Sequence, residues 1–193
     1  MDKFDIILNA EQQFAREVTL GVLYLRPLSA WHYLMPGMFI IDFLRRTSAI
    51  RKYGETFMFP RELALQAAQD FPEGQNRADL DARLEAAIKN WLADLKLDSP
   101  DLIRAQKETV ELLIDHYVRL LQADGESYYD LIQNAYSSRA GFEAYLREIT
   151  AAENKVDRAI LARAGDKPAL KEKLQLEAQQ VENRRKKILE DIF

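Results

Sequence analysis

The chain has 193 residues, of which 48% are hydrophobic and 30% are charged, a composition typical of a folded globular protein. It has no cysteine, which excludes disulfides, thiolate metal sites and thiol nucleophiles. Its formal net charge of −4 disfavours nucleic-acid binding, which needs a cationic surface. The acidic residues around Lys3 are atypical of a signal peptide. We predict a cytoplasmic protein, with the inner face of a membrane as an alternative location.

The first predicted helix covers about residues 3–25, where apolar residues recur at helical spacing. Pro27 ends it, because the residue before a proline is pushed out of the helical region. A second helix begins near Pro36, since a proline is tolerated at the first helical position. Residues 54–59 are predicted to form an extended loop, and a short helix then covers 60–68.

Residues 18–44 form an unusually apolar run that carries charge only at Arg26 and Asp42. A helix that spans a membrane needs about 20 consecutive apolar residues. Pro27 and Pro36 divide the run, so we predict no transmembrane span. The run is either bundle core or a surface that contacts a membrane or a protein partner. In the second interpretation, the aromatic and cationic contact residues are Trp31, Phe39, Arg45 and Arg46.

Polar residues predict where the later helices begin. Asn76, with Asp79, is placed to accept hydrogen bonds from the N–H groups of a first helical turn. Another helix begins at Ser99-Pro100. Ser127 and Asp130 form a capping-box pattern in which aspartate replaces the usual glutamate. A pair of serines at 137–138 predicts a break between two helices.

The C-terminal part, residues 139–193, is predicted to form an antiparallel, coiled-coil-like helical hairpin. Apolar residues of its first helix alternate at spacings of three and four, as in a coiled-coil seam. They are Phe142, Tyr145, Ile149, Ala152, Val156 and Ala159. Arg185 falls on the seam of the last helix, so we expect imperfect packing there. The basic cluster 184–187 is otherwise predicted to be a salt-bridged surface.

These patterns predict an all-α fold, a bundle of about six or seven helices that ends in the hairpin. We expect one domain over 1–193, with an apolar N-terminal part at 1–71 and amphipathic helices at 76–135.

Two candidate sites contain the two histidines of the chain. The first is a ligand pocket formed by Tyr24, Trp31, His32 and Tyr33, where His32 could exchange protons near neutral pH. The second is a metal site formed by Glu111, Asp115 and His116, completed by a carboxylate from a facing helix. The sequence has no Glu-x-x-His pair, which disfavours a di-iron bundle. The alternative for His116 is a hydrogen-bonded histidine at the border of an apolar face.

The sequence contains no phosphate-binding loop, dinucleotide fingerprint, nucleophile elbow or metalloprotease histidine pair. We therefore predict a non-enzymatic interaction or scaffold protein without a cofactor, which binds a protein partner or itself through the apolar N-terminal region and the C-terminal hairpin. One alternative is a helical ligand- or metal-binding enzyme with a bundle pocket near His32 or His116. Another is a peripheral membrane adaptor anchored through residues 18–44.

Overall fold

Seven α-helices and no strand make up the described part of the chain, which confirms the predicted all-α bundle. The computed structural model describes residues 2–24, 36–70, 77–165 and 167–193, without the side chains of residues 23, 24, 36–47, 49 and 77. The helices are α1 (Lys3–Tyr24), α2 (Pro36–Asp70), α3 (Arg77–Asp94), α4 (Pro100–Gln122), α5 (Tyr128–Tyr136), α6 (Arg139–Ala164) and α7 (Pro168–Ile192).

α4 lies at the centre of the bundle, where it contacts α1, α2, α3, α5 and α6. The helix begins at Ser99-Pro100 as predicted, and the Ser99 hydroxyl caps its first turn by accepting a hydrogen bond from the Leu102 N–H at 3.3 Å. Apolar residues of this helix recur at helical spacing, so that one broad face is buried. Leu102, Val110, Tyr117 and Leu120 of that face are completely buried.

The connection between α4 and α6 follows the predicted caps. Ser127 and Asp130 form the capping box, with the Asp130 carboxylate accepting the Ser127 N–H at 3.0 Å. Ser137 ends α5 in a left-handed conformation with φ of 54°, and the Ser138 hydroxyl caps α6. α5 is thereby held against α4, α6 and α7.

α2 differs from the prediction. It continues from Pro36 to Asp70 through residues 54–59, so the predicted extended loop there is wrong. Pro60 cannot donate to the carbonyl of Thr56 and should weaken this turn. However, Met58 and Pro60 are buried, and the helix packs against α1 and α4 on both sides of the proline. Burial of this face outweighs the local preference for a break.

α7 contacts α6, α1 and α5. On the predicted seam of α6, Phe142, Ile149 and Ala152 are buried. Buried residues of all seven helices belong to one hydrophobic cluster. The coiled-coil-like geometry of the hairpin and the division into 1–71, 76–135 and 139–193 stay predictions.

Candidate functional site

Arg185 of α7 makes a bidentate ion pair with Glu153 of α6. The two guanidinium nitrogens lie 2.6 and 2.8 Å from the two carboxylate oxygens, and Nη1 also donates to the Thr150 hydroxyl at 3.0 Å. We expected imperfect packing at Arg185, and the structure shows a specific ion pair between α6 and α7 there. The predicted salt-bridged surface at 184–187 is wrong for Arg185, whose side chain is only 11% exposed.

Arg61 of α2 extends this contact to α1. Its Nε lies 3.2 Å from Glu11, and its Nη2 lies 3.4 Å from Glu153. The Arg61 guanidinium also lies over the Phe57 ring, 3.9 Å from its centroid. Glu11, Arg61, Glu153 and Arg185, which we call the ion-pair network, thus carry two positive and two negative charges and link α1, α2, α6 and α7.

The network keeps Glu153 ionised. Burial alone would raise the pKa of the Glu153 carboxyl, but the charges and hydrogen bonds of Arg185 and Arg61 outweigh burial, so that this pKa is lowered. A buried ion pair with this geometry leaves little net charge for a ligand to neutralise.

A cavity of about 600 Å³ lies beside the network, between α2, α3, α4, α6 and α7. Natural binding sites for small molecules have volumes of about 300–1,000 Å³. Much of the cavity lining is apolar, and Trp91 of the lining stacks on Phe59, with ring centroids 4.6 Å apart. Other apolar side chains of the lining are Leu95, Leu102, Ile160, Leu170 and Leu174.

Two carboxylates of the cavity lining, those of Asp157 and Glu177, form no ion pair with an arginine among the described residues. The Tyr53 hydroxyl of α2 donates a short hydrogen bond to Glu177 of α7. Asp157, one turn beyond Glu153 on α6, is half-buried and forms no hydrogen bond or ion pair with another described residue. Burial, followed by repulsion from Glu177 and Glu153, raises the pKa of the Asp157 carboxyl to about 7.

Two buried polar side chains of α4 also line the cavity. Thr109 donates its hydroxyl hydrogen to the Ala105 carbonyl at 3.1 Å. Gln106 is only 4% exposed, yet its amide makes no hydrogen bond within the described chain. Gln106 therefore has free hydrogen-bonding capacity at the cavity.

His116 lies apart from this cavity, in an aromatic cluster. Its ring stacks on Tyr145 with centroids 4.2 Å apart, and its Nδ1 lies 2.6 Å from the Tyr136 hydroxyl. Burial, followed by repulsion from Arg185 and Arg119, lowers the pKa of His116 to about 3. The structure thus matches the alternative interpretation of His116 as a hydrogen-bonded histidine at an apolar face.

The structure does not bring the predicted metal ligands together. His116 is buried, whereas Asp115 is exposed, and the Glu111 carboxylate lies 4.0 Å from the Lys107 ammonium. Within the described ranges, no group of three or more histidine, aspartate or glutamate residues could hold a metal ion.

Most of the residues predicted to form the ligand pocket or to contact a membrane or partner lie outside the part of the chain that the structure describes. Residues 31–33 and the side chains of Tyr24, Phe39, Arg45 and Arg46 are outside the described part of the chain, so the pocket around Trp31, His32 and Tyr33 stays a prediction. Val18, Thr19 and Val22, at the start of the apolar run, are buried in the bundle. No helix in the described ranges is long and apolar enough to span a membrane.

No sequence pattern predicted the cavity or the residues that line it. Arg185 on an apolar seam was a visible signal, because a cation there needs a buried partner. Tyr53, Asp157 and Glu177 gave no such signal, since each lies on a different helix or face and none belongs to a motif. Their juxtaposition depends on how α2, α6 and α7 pack.

Comparisons with known proteins give no relative for this chain: no family model, curated protein or solved structure matches it.

Proposed function

We propose that this protein binds a small, largely apolar molecule in the cavity between α2, α3, α4, α6 and α7. The observation that carries the proposal is the cavity itself, about 600 Å³ in volume, with a lining that combines apolar side chains and a few polar ones. Small-molecule sites are mostly apolar clefts of about 300–1,000 Å³ with a few polar groups, and this cavity has such a volume and such a lining.

The ion-pair network supports a binding role. It fixes the relative positions of α2, α6 and α7, three of the helices that surround the cavity. Its charges are satisfied by one another, so the network can maintain an open cavity without a ligand. A rigid, preformed cavity reduces the entropy that a ligand loses on binding.

Docking to a protein partner, self-association and contact with a membrane face have less support. Tyr129 is the one large hydrophobic residue that is exposed among the described residues, and it is only 37% exposed. Such docking would therefore depend on the portion of 18–44 that lies outside the described residues. Cavity binding rests on residues whose contacts are known, and we propose it as the primary function.

Fluorescence titration with Nile red, an uncharged dye that brightens in apolar surroundings, tests the proposal. We expect saturable binding of one dye per chain. Ala178→Trp places an indole at a residue that lines the cavity, and should weaken binding at least about 10-fold, because a filled cavity loses its contacts with the dye.

Gln179→Trp is the matched control, since Gln179 is the next residue on α7, is exposed and does not line the cavity. Circular dichroism establishes that both variants fold. Equal dye binding by both variants, or no saturable binding by the unchanged protein, contradicts the proposal.

A further inference from the structure

We propose that the ligand of the cavity is an organic amine, whose ammonium group lies at Asp157 and Glu177 and whose apolar part lies against Trp91 and the leucines. This inference rests on the proposed function and names the chemical class of the ligand. It follows from the charges that remain after the ion-pair network is formed.

The charged side chains of the cavity lining favour a cation. Arg61 and Arg185 are neutralised by Glu11 and Glu153, so neither presents a free positive charge to an anion. Asp157 and Glu177, in contrast, approach one another from α6 and α7 without an ion-pair partner among the described residues. An ammonium group between them would neutralise the repulsion and replace the water lost on burial.

The other charged groups of the lining are solvent-exposed. Lys52, Lys173 and Glu182 are exposed, so water screens their charges. The Lys173 ammonium lies over the Tyr53 ring, 4.7 Å from its centroid, and competes with a ligand ammonium for the Glu177 carboxylate. No cation of the described residues competes in this way for Asp157.

Gln106 is an independent indication of a polar ligand group. This residue is more than nine-tenths buried and lines the cavity without a hydrogen-bond partner among the described residues. Gln106 of α4 and Asp157 of α6 line the same cavity. The Gln106 carbonyl and the Asp157 carboxylate can each accept a hydrogen bond from one ligand ammonium group. An alcohol has a single O–H and can donate to only one of them.

Binding should depend on pH in a defined direction. Charged and titratable groups surround Asp157 on three helices. They are Glu153 on α6, Tyr53 and Arg61 on α2, and Lys173 and Glu177 on α7. The residues of α4 that line the cavity near them, Gln106 and Thr109, are uncharged. Since the pKa of Asp157 is about 7, the carboxylate form increases as the pH rises from 6 to 8. An alkylamine stays protonated over this range, so its affinity should increase with pH.

Three probes of matched size test the inference: phenethylamine, phenethyl alcohol and phenylpropionate, each titrated by calorimetry and by Nile red displacement. We expect phenethylamine to bind about 10-fold or more tightly than the alcohol at pH 8, and phenylpropionate to bind least tightly. Asp157→Asn should remove the preference for the amine and leave binding of the alcohol unchanged. Asp115→Asn, an exposed position on α4 outside the cavity, is the control and should keep the preference.

The outcomes separate this inference from the proposed function. Any one of three results overturns the amine assignment: equal affinity for the amine and the alcohol, tighter binding of the acid, or an unchanged preference for the amine in Asp157→Asn. Nile red binding would in each case still support a ligand cavity. Absence of binding by Nile red and by all three probes overturns both.

Discussion

The Arg185 guanidinium faces the Glu153 carboxylate in a two-point contact, with nitrogen–oxygen distances of 2.6 and 2.8 Å. This pair lies where apolar packing alone would have joined α6 and α7. The pair fixes the position of α6 relative to α7, because two parallel hydrogen bonds between a guanidinium and a carboxylate tolerate little displacement. The cavity that we assign to ligand binding opens beside it.

Arg185→Met should lower the free energy of unfolding by about 3 kcal/mol, because Glu153 then retains only the longer contact with Arg61. Urea denaturation of the two proteins measures this difference. Lys186→Met, at the exposed neighbouring position, is the control and should change the free energy by no more than about 0.5 kcal/mol. A similar effect of both substitutions would mean that the ion pair does not stabilise the interface.

Asp157→Asn should stabilise the protein at neutral and alkaline pH. The pKa of Asp157 is raised from 3.8 to about 7, so the folded protein retains a proton that the unfolded chain releases. The contribution of this residue to stability is therefore fully present below about pH 4 and is lost as the pH rises to about 7. At pH 8 the variant should gain about 1 kcal/mol, a gain that partial exposure keeps small.

Thermal denaturation of Asp157→Asn between pH 4 and 8 measures this change. The difference from the unchanged protein should grow with pH, and Asp115→Asn should show no such trend. A constant difference at all pH values would show that the Asp157 carboxyl titrates normally.

His116 should remain neutral in the folded protein at pH 5. Its pKa of about 3 lies below the ordinary value of 6.5, so its contribution to stability is present above about pH 6.5 and is lost as the pH falls towards 3. Nuclear magnetic resonance of the imidazole, assigned with His116→Gln, should show no titration between pH 5 and 8. A midpoint near 6.5 would contradict the buried, hydrogen-bonded state.

Ser127→Ala should cost about 1 kcal/mol of unfolding free energy, because the capping box at the start of α5 loses its hydroxyl. Ser48→Ala, at an exposed position inside α2, is the control and should be neutral or slightly stabilising. Equal values for the two serines in urea denaturation would show that the cap does not stabilise α5.

Local signals were sufficient to predict most of the fold. The helix starts at Pro36 and at Ser99-Pro100, the capping box at Ser127 and the break at 137–138 depend on short-range hydrogen bonding and backbone preference, which the sequence displays. The segment 54–59 was predicted wrongly, because its helix depends on packing against α1 and α4 rather than on its own residues.

The candidate site was much less predictable. Arg185 was recognised as unusual, but its partner Glu153 lies 32 positions earlier and no spacing rule connects them. The same holds for Tyr53 and Glu177, which are 124 positions apart. Charge pairs within a helix follow from the sequence, whereas contacts between α2, α6 and α7 follow from the tertiary arrangement.

Trp91 provides the decisive measurement, since its indole lines the cavity and the chain has only one other tryptophan, Trp31. The indole N–H resonance of Trp91, assigned with Trp91→Phe, can be followed while phenethylamine is added at pH 8. We predict a saturable shift of this resonance, whose midpoint moves to at least about 10-fold higher amine concentration in Asp157→Asn. An unmoved Trp91 resonance at saturating amine would contradict the assignment of the cavity as a binding site for an organic amine.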